Sequence, residues 1–481
     1  MQSQEELLKR NAFLEQEVLY LKEELAQLKR MVFGSKKERF IPVNSDQQSL
    51  FDGEIETVEP DTQMVSYQRE KSGKQGKAKR LLLPAHLPRE EETIEVEGLS
   101  VDSVKIGEKV TEVLEYTPGK LYVHKTVRPV YKQDNEIKVA DLPSQVIPGG
   151  NAGASLLAYL LVSKFIDHLP FYRQVQIFKR DGGMKVPEST LTGWYRKTCE
   201  LLEPLHAEMM SRIRDSDYIQ ADESPIPVLS KDKPGSTHKG YQWVYHMPKE
   251  RMVVFQYDPS RGKSVPTAML DGFSGCLQTD GYAGYNAIAN REGITHIACM
   301  AHARRKFEAA MENDPQRANH ALVEIQKLYA MERDFQENQV PVEKIKELRG
   351  QDATPILKDF KEWLEEQYGQ VLPKSAIGKA IAYSLKLWSQ LTTYTQNGEW
   401  AIDNNAVENK IRPLALGRKN FLFAGSHQAA QQAAMMYSFF GTCKLNDIEP
   451  LQWLTETLRK LPDTKVNKLD LLLPVNKQNQ T

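Results

Sequence analysis

The chain has 481 residues, 40% of them hydrophobic and 26% charged, with a formal net charge of −1. That length predicts about three structural units, and the composition is that of a globular protein. No run of 18 apolar residues occurs, which excludes an evident membrane-spanning helix. The acidic-and-basic N-terminus lacks the apolar core of a secretory signal, so a cytoplasmic protein is expected. Cys199, Cys276, Cys299 and Cys443 are scattered and form no C-x-x-C pair, which argues against a disulfide framework and a four-cysteine zinc site.

Leu7, Leu14, Leu21 and Leu28 repeat every seven residues, with Asn11, Val18, Leu25 and Val32 at the companion positions. Leucine at d with mainly β-branched residues and one Asn at a suits a parallel two-stranded coiled coil. The spacing predicts a leucine zipper over 1–40 that makes a homodimer; a surface helix packed on its own domain is the alternative. Residues 41–83 pass from an acidic stretch to SYQREKSGKQGKAKR, the composition of a linker.

Residues 84–148 alternate in the strand manner, as in TIEVEGLSV and GKLYVHKTVRPVYK, and predict a small β-rich module. Residues 149–215 turn helical, with breaks at Pro170, Gly182-Gly183 and Pro187, in a helix-turn-helix-like pattern. Arg173, Lys179, Arg180, Lys185, Arg196 and Lys197 make this region basic, which suits a DNA contact or an ordinary three-helix packing unit.

From 216 the pattern changes again. YIQADESPIPVL, GYQWVYHM and MVVFQYD read as successive strands, SVPTAMLDGF as a helix, and GCLQTDGY as a fourth strand. That order opens a ribonuclease-H-like α/β fold. Amphipathic helices over about 308–398 then read as an insertion within a catalytic domain spanning 216–437, and a helical region at 438–481 follows.

In such a sheet the first and fourth strands are neighbours, which would bring Asp222 and Asp280 together. Glu408, in WAIDNNAVENKIRP, reads as the start of a helix beside them. Carboxylate oxygens are the hard ligands that Mg²⁺ prefers. Taken singly, each acid has an ordinary structural reading as a turn or cap residue. Asn405 and Glu408 have the spacing of a helix cap with a capping-box Glu, which would leave Asp403 as the third metal ligand. Glu408 is preferred because a helix holds a ligand more accurately than a loop. Arg412, one turn further on, could hold either its carboxylate or a bound phosphate.

Several strings together carry a family resemblance. ADES at 221–224, QTDGYAGYN at 278–286, CMAHARRKF at 299–307 and DNNAVENKIRPLALGRKNFLFAGS at 403–426 resemble the Insertion Sequence 66 transposases of bacteria. FGSKKERF at 33–40 and SFFGTCKLNDIEPLQWL at 438–454 do so as well, so the resemblance runs over nearly the whole chain. It implies a DDE transposase acting on double-stranded DNA at terminal inverted repeats and at a target. In that class two Mg²⁺ or Mn²⁺ ions are held by the triad, here matched by Asp222, Asp280 and Glu408. A nucleoid-associated protein is then expected, and relatives are encoded with small accessory proteins.

Cys299 and His302 match a C-x-x-H signature of several transposase groups. If His296, Cys299 and His302 shared one helix, the outer pair would point ~120° apart, too far round to share an ion. A structural or DNA-positioning role and no bound zinc are therefore expected. Arg304, Arg305, Lys306, Arg412, Arg418 and Lys419 flank the acids and suit phosphate contacts, with solvated charges or ion pairs as the alternative. The family's β-rich module commonly carries paired zinc-binding cysteines, yet residues 84–142 contain none.

Overall fold

A computed structural model of the chain describes residues 144–230 and 235–475, the strands at 130–133 and 136–139, and positions 119, 121 and 123. The zipper, the linker and most of the β-rich module lie outside the described residues. Contacts divide the chain into Met1–Gly119 and Lys120–Thr481, and the elements below belong to the second unit. Of the expected β-rich module it contains an antiparallel pair, β1 (Val130–Gln133) and β2 (Glu136–Val139).

Three helices follow: α1 (Ala154–Phe165), α2 (Phe171–Gly182) and α3 (Glu188–Ser211). Pro170 and Pro187 stand at the N-caps of α2 and α3, where proline's missing N–H costs nothing. Gly183 ends α2 in the left-handed conformation, at φ 64°, and its N–H bonds the Phe178 carbonyl. The sequence breaks therefore fall where helices start and stop. Helix α1 is apolar on more than one face because it is enclosed: Leu157, Ala158, Leu160, Leu161 and Phe165 are all buried.

The central sheet contains β3 (Tyr218–Leu229), β4 (Thr237–Met247), β5 (Met252–Asp258), β6 (Gly275–Thr279) and β7 (Ile294–Ala298), in the order β5-β4-β3-β6-β7. The first three strands pair antiparallel, while β6 and β7 run parallel to β3. Helix α4 (Ser264–Met269) makes the crossover before β6. Three antiparallel strands, a helix and a fourth strand are the elements expected from the sequence, in that order.

Pro225 and Pro227 lie inside β3, where a missing N–H would ordinarily break a ladder. Leu229, of the same parity, sends its N–H to the Ala424 carbonyl and not to β4. The two prolines therefore sit where β4 needs no donor, on the side that β6 has already left. At the opposite edge, the outward amides of β5 are met by side chains. Phe255 N–H donates to Ser438 Oγ at 2.8 Å and Val253 N–H to Thr442 Oγ1 at 3.2 Å, both on the helix His427–Leu445. That helix covers an edge that would otherwise be open to pairing.

Helices α5 (Met300–Glu308), α6 (Pro315–Glu337), α7 (Thr354–Tyr368) and α8 (Ala376–Lys386) follow β7. They form a helical group with its own core around Phe307, Leu328, Phe360, Leu364 and Ile381, joined to the sheet through Ile297 and Ala298, where the sequence predicts an insertion over about 308–398. The chain then returns through α9 (Asn405–Phe421), α10 (His427–Leu445) and α11 (Pro450–Lys460). One continuous core runs from Leu157 and Leu202 through Ile219 and Phe255 to Met436 and Leu454. The segments read as 149–215, 216–437 and 438–481 thus share their packing. Among the described residues no helix is long and apolar enough to cross a membrane.

Candidate active site

Strands β3 and β6 pair Tyr218 with Cys276, Ile219 with Leu277 and Gln220 with Gln278. Continued two residues past the last pair, this register brings Asp222 level with Asp280. The strands separate there because the chain turns sharply after β6. Asp280 Oδ1 accepts from the Tyr282 N–H at 2.8 Å, an Asx turn, and Gly281 between them takes φ +87°. A Cβ at Gly281 would come 2.8 Å from Leu387 Cδ1, so both backbone and space require glycine. Tyr383 of α8 donates to the Asp280 carbonyl at 2.9 Å, anchoring the turn to the insertion. A fork at the carboxyl ends of neighbouring parallel strands is a common place for a ligand in open α/β sheets.

Helix α9 carries Glu408. Its N-cap is Asn404, not Asn405, which corrects the capping-box alternative. Asn404 is fully buried. Its Nδ2 donates to the Ala221 carbonyl at 3.0 Å and its backbone N–H to Cys299 Sγ at 3.2 Å. The helix start is thereby stitched to the residue just before Asp222. Glu408 lies one position beyond the capping-box site, and its Oε2 accepts from Arg305 Nη2 of α5 at 2.6 Å. Arg412 is exposed, and the cation on the Glu408 carboxylate is Arg305. Asp403 is engaged locally, accepting from Tyr329 Oη at 2.8 Å, Asn405 N at 3.0 Å and Asn405 Nδ2 at 2.7 Å.

A cleft of about 330 Å³ is lined by Asp222, Glu223, Ser224, His302, Arg305 and Glu408. Burial, reinforced by the charges of Glu223, Asp280 and Glu408, pushes the Asp222 carboxyl well above the usual carboxylate range. The Glu223 N–H, donating to Asp222 Oδ1 at 2.8 Å, opposes that shift only in part. Carboxylates that resist being charged together are stabilised by a cation among them.

Glu223 was not singled out from the sequence. Its side chain is only 2% exposed and pairs with Arg261 at 2.6 Å; Tyr285 Oη donates to it at 3.4 Å. Burial raises its pKa while the Arg261 hydrogen bond lowers it. Arg261 in turn lies 4.1 Å from the Tyr282 ring centroid, a cation–π contact beside Asp280. The sequence offered only an acidic doublet here, and nothing local pointed to Arg261 or to Asn404.

His296, Cys299 and His302 do not all lie on one helix. His296 is in β7, Cys299 caps α5 and His302 stands in its first turn. The single-helix geometry used to exclude a shared ion is therefore corrected. His296 bonds Thr279 Oγ1 at 3.0 Å, whereas one ligand atom each from Cys299, His302 and Glu408 lie within 4.8 Å of one another. The cations have mixed fates. Arg304 pairs with Glu308 at 2.9 Å, Arg305 with Glu408, and Lys306 lies 4.5 Å from the Tyr383 ring centroid. Arg418 donates to the Pro225 carbonyl, tying α9 to β3, and Arg412 and Lys419 are exposed.

The profile described as Transposase IS66 family matches residues 149–432, and that of the IS66 C-terminal element matches residues 438–475. A third, described as Transposase C of IS166 homeodomain, matches residues 20–91. Among curated relatives, the uncharacterized protein y4jD of Sinorhizobium fredii is 30% identical over 488 residues, covering 95% of this chain and 94% of that protein. The uncharacterized protein y4qI of the same organism is 32% identical over 481 residues, covering 94% of this chain and 88% of that protein. Profiles in the same order along the chain, with full-length relatives beside them, establish that this chain belongs to the IS66 family of transposases.

Proposed function

We propose that the chain cuts and joins DNA at the ends of an insertion sequence through a ribonuclease-H-like DDE domain in which Asp222, Asp280 and Glu408 are the metal-binding acids. Family membership supports an insertion-sequence transposase and a DNA-cleaving enzyme. The observation that carries the residue assignment is that β3 and α9 bring Asp222 and Glu408 to one cleft, while Asp280, just past the neighbouring parallel strand, is close enough for its charge to raise the Asp222 pKa. The strand order β5-β4-β3-β6-β7, with its helical insertion before α9, suits the fold.

The donor set fits Mg²⁺ or Mn²⁺. All three groups offer hard carboxylate oxygens, Glu408 Oε1 has no hydrogen-bond partner among the described residues, and the Asp222 carboxyl is raised by burial first and by the neighbouring carboxylates second, a charge that a bound cation would offset. Two such ions, when bound, would activate the attacking oxygen and stabilise the leaving one in phosphodiester displacement. The protein's own groups supply position. Asn404 and the Gly281 turn hold the acids in register, and Arg305 keeps Glu408 oriented toward the cleft. Arg412 and Lys419, both exposed, would serve as phosphate contacts that set affinity and register on double-stranded DNA, as would Arg304 and Lys306 if DNA drew them from Glu308 and Tyr383; Arg418 is held on the Pro225 carbonyl. The N-terminal zipper would pair two chains so that two element ends are held together, with or without accessory proteins of the same element.

Glu408→Gln and Asp403→Asn test the assignment, with folding followed by circular dichroism and cleavage of end-containing DNA assayed in Mn²⁺. Glu408→Gln is expected to be folded and inert. Asp403→Asn, which alters a locally bonded side chain, is expected to cut. The reverse pattern would make Asp403 the third ligand.

A further inference from the structure

We infer that Cys299, His302 and Glu408 form a second kind of metal site, selective for a soft or borderline divalent cation such as Zn²⁺ or Co²⁺, at the acidic cleft that His302 and Glu408 help to line. The three groups come from three local contexts: the cap of α5, its first turn, and the first turns of α9. Their candidate ligand atoms lie within 4.8 Å of one another. A tetrahedral zinc centre holds sulfur at ~2.3 Å, nitrogen at ~2.0 Å and oxygen at ~2.1 Å, so small side-chain rotations would bring all three into range.

An independent observation points at the same spot. His302 Nδ1 and Glu408 Oε1 are both buried, neither has a hydrogen-bond partner among the described residues, and they face each other at 3.8 Å. Buried polar atoms are nearly always satisfied, and two unsatisfied ones converging on a thiol are accounted for by an ion between them. Burial pushes the Cys299 thiol pKa up to about 12, opposed by the Asn404 N–H that donates to its sulfur at 3.2 Å, so the thiolate would form only as an ion displaces the proton. Binding would release the Cys299 thiol proton to solvent. Thiolate and imidazole select Zn²⁺ or Co²⁺ over Mg²⁺, whose ligands are oxygens.

Arg305 now acts as the local counter-charge. It donates to Glu408 Oε2 at 2.6 Å, and its Nη1 lies 3.2 Å from His302 Nε2. Arginine only donates, so that second contact needs an unprotonated Nε2. An ion on Nδ1 requires the proton on Nε2, so the ion and the Arg305–His302 contact exclude each other. Because Glu408 is shared with the proposed catalytic triad, occupation of this site would withdraw it from the Mg²⁺ ions and inhibit cleavage. That consequence rests on the proposed role of Glu408; the binding site itself does not.

The experiment uses full-length protein stripped with EDTA and titrated with Co²⁺ alone, without DNA. One Co²⁺ per chain is expected, with a thiolate-to-cobalt charge-transfer band in the near ultraviolet. The band should vanish in Cys299→Ser and weaken at least tenfold in apparent affinity in His302→Ala, both folded by circular dichroism. Zn²⁺ should displace the Co²⁺. A wild-type spectrum without the thiolate band, or a band retained by Cys299→Ser, overturns the site. If the band behaves as expected but Zn²⁺ leaves Mn²⁺-supported cleavage unchanged, the metal site stands and Glu408 loses its place in the catalytic triad.

Discussion

Replacing Asp222 with Asn should push activity and stability in opposite directions. Asp222 is buried among Glu223, Asp280 and Glu408, and among the described residues only the Glu223 N–H donates to its carboxylate. A buried charged group left short of partners costs about 1–3 kcal/mol, so an amide of the same shape removes a cost of that order. Its folded pKa lies above the unfolded value, so the cost is absent below the ordinary carboxylate range and grows as pH rises through the folded pKa. In EDTA at pH 8, Asp222→Asn should therefore melt higher than wild type. At about 2 °C per kcal/mol for a unit of this size, the gain is roughly 2–6 °C. The gain should shrink towards zero as pH falls below the usual carboxylate range, where wild-type Asp222 is also neutral. Adding Mn²⁺ should stabilise wild type more than the variant. Cleavage should fall by about 10³-fold, the scale of losing one preorganised electrostatic group. Differential scanning fluorimetry across pH and a cleavage assay provide the readouts. A variant that melts lower at pH 8, or whose gain does not vary with pH, would refute the account of Asp222 as a strained, charge-crowded ligand.

Arg261→Ala should cost about 2 kcal/mol at pH 8, because Glu223 loses its ion pair while remaining buried. Since Glu223 already has a raised pKa, that loss should lessen as pH falls and the carboxyl takes up a proton; urea midpoints equally shifted at pH 5.5 and pH 8 would contradict this. A protein lacking residues 1–40 should lose the dimer that the leucine heptads predict. Light scattering that finds full-length protein monomeric at micromolar concentration would remove the zipper.

Much of the α/β framework was legible because its signals are local. Runs of Val, Ile, Tyr and Phe marked the strands, and Pro170, Gly183 and Pro187 marked helix ends through their own backbone restrictions. Asp222 and Asp280 could be paired in advance because strand order follows from the sequence of strands and the crossover between them. The capping residue of α9 could not be read correctly. Asn404 and Asn405 are equivalent as isolated caps, and only the Ala221 carbonyl and the Cys299 sulfur, both distant in sequence, select Asn404.

By itself, then, the sequence determined the family and the order of the elements, and it singled out Asp222, Asp280 and Glu408 as candidate acids, since each depends on short strings or on periodicity. The tertiary structure decided who neutralises whom. Arg305 rather than Arg412 meets Glu408, Arg261 meets Glu223, and Arg418 is drawn onto the Pro225 carbonyl. Helical spacing makes Arg412 an available partner for Glu408, but long side chains pair with whatever charge the packing of separate elements brings within reach. The same packing set Cys299 and His302, at the start of α5, beside Glu408 of α9, while the strand-to-helix junction left His296 in β7 on Thr279.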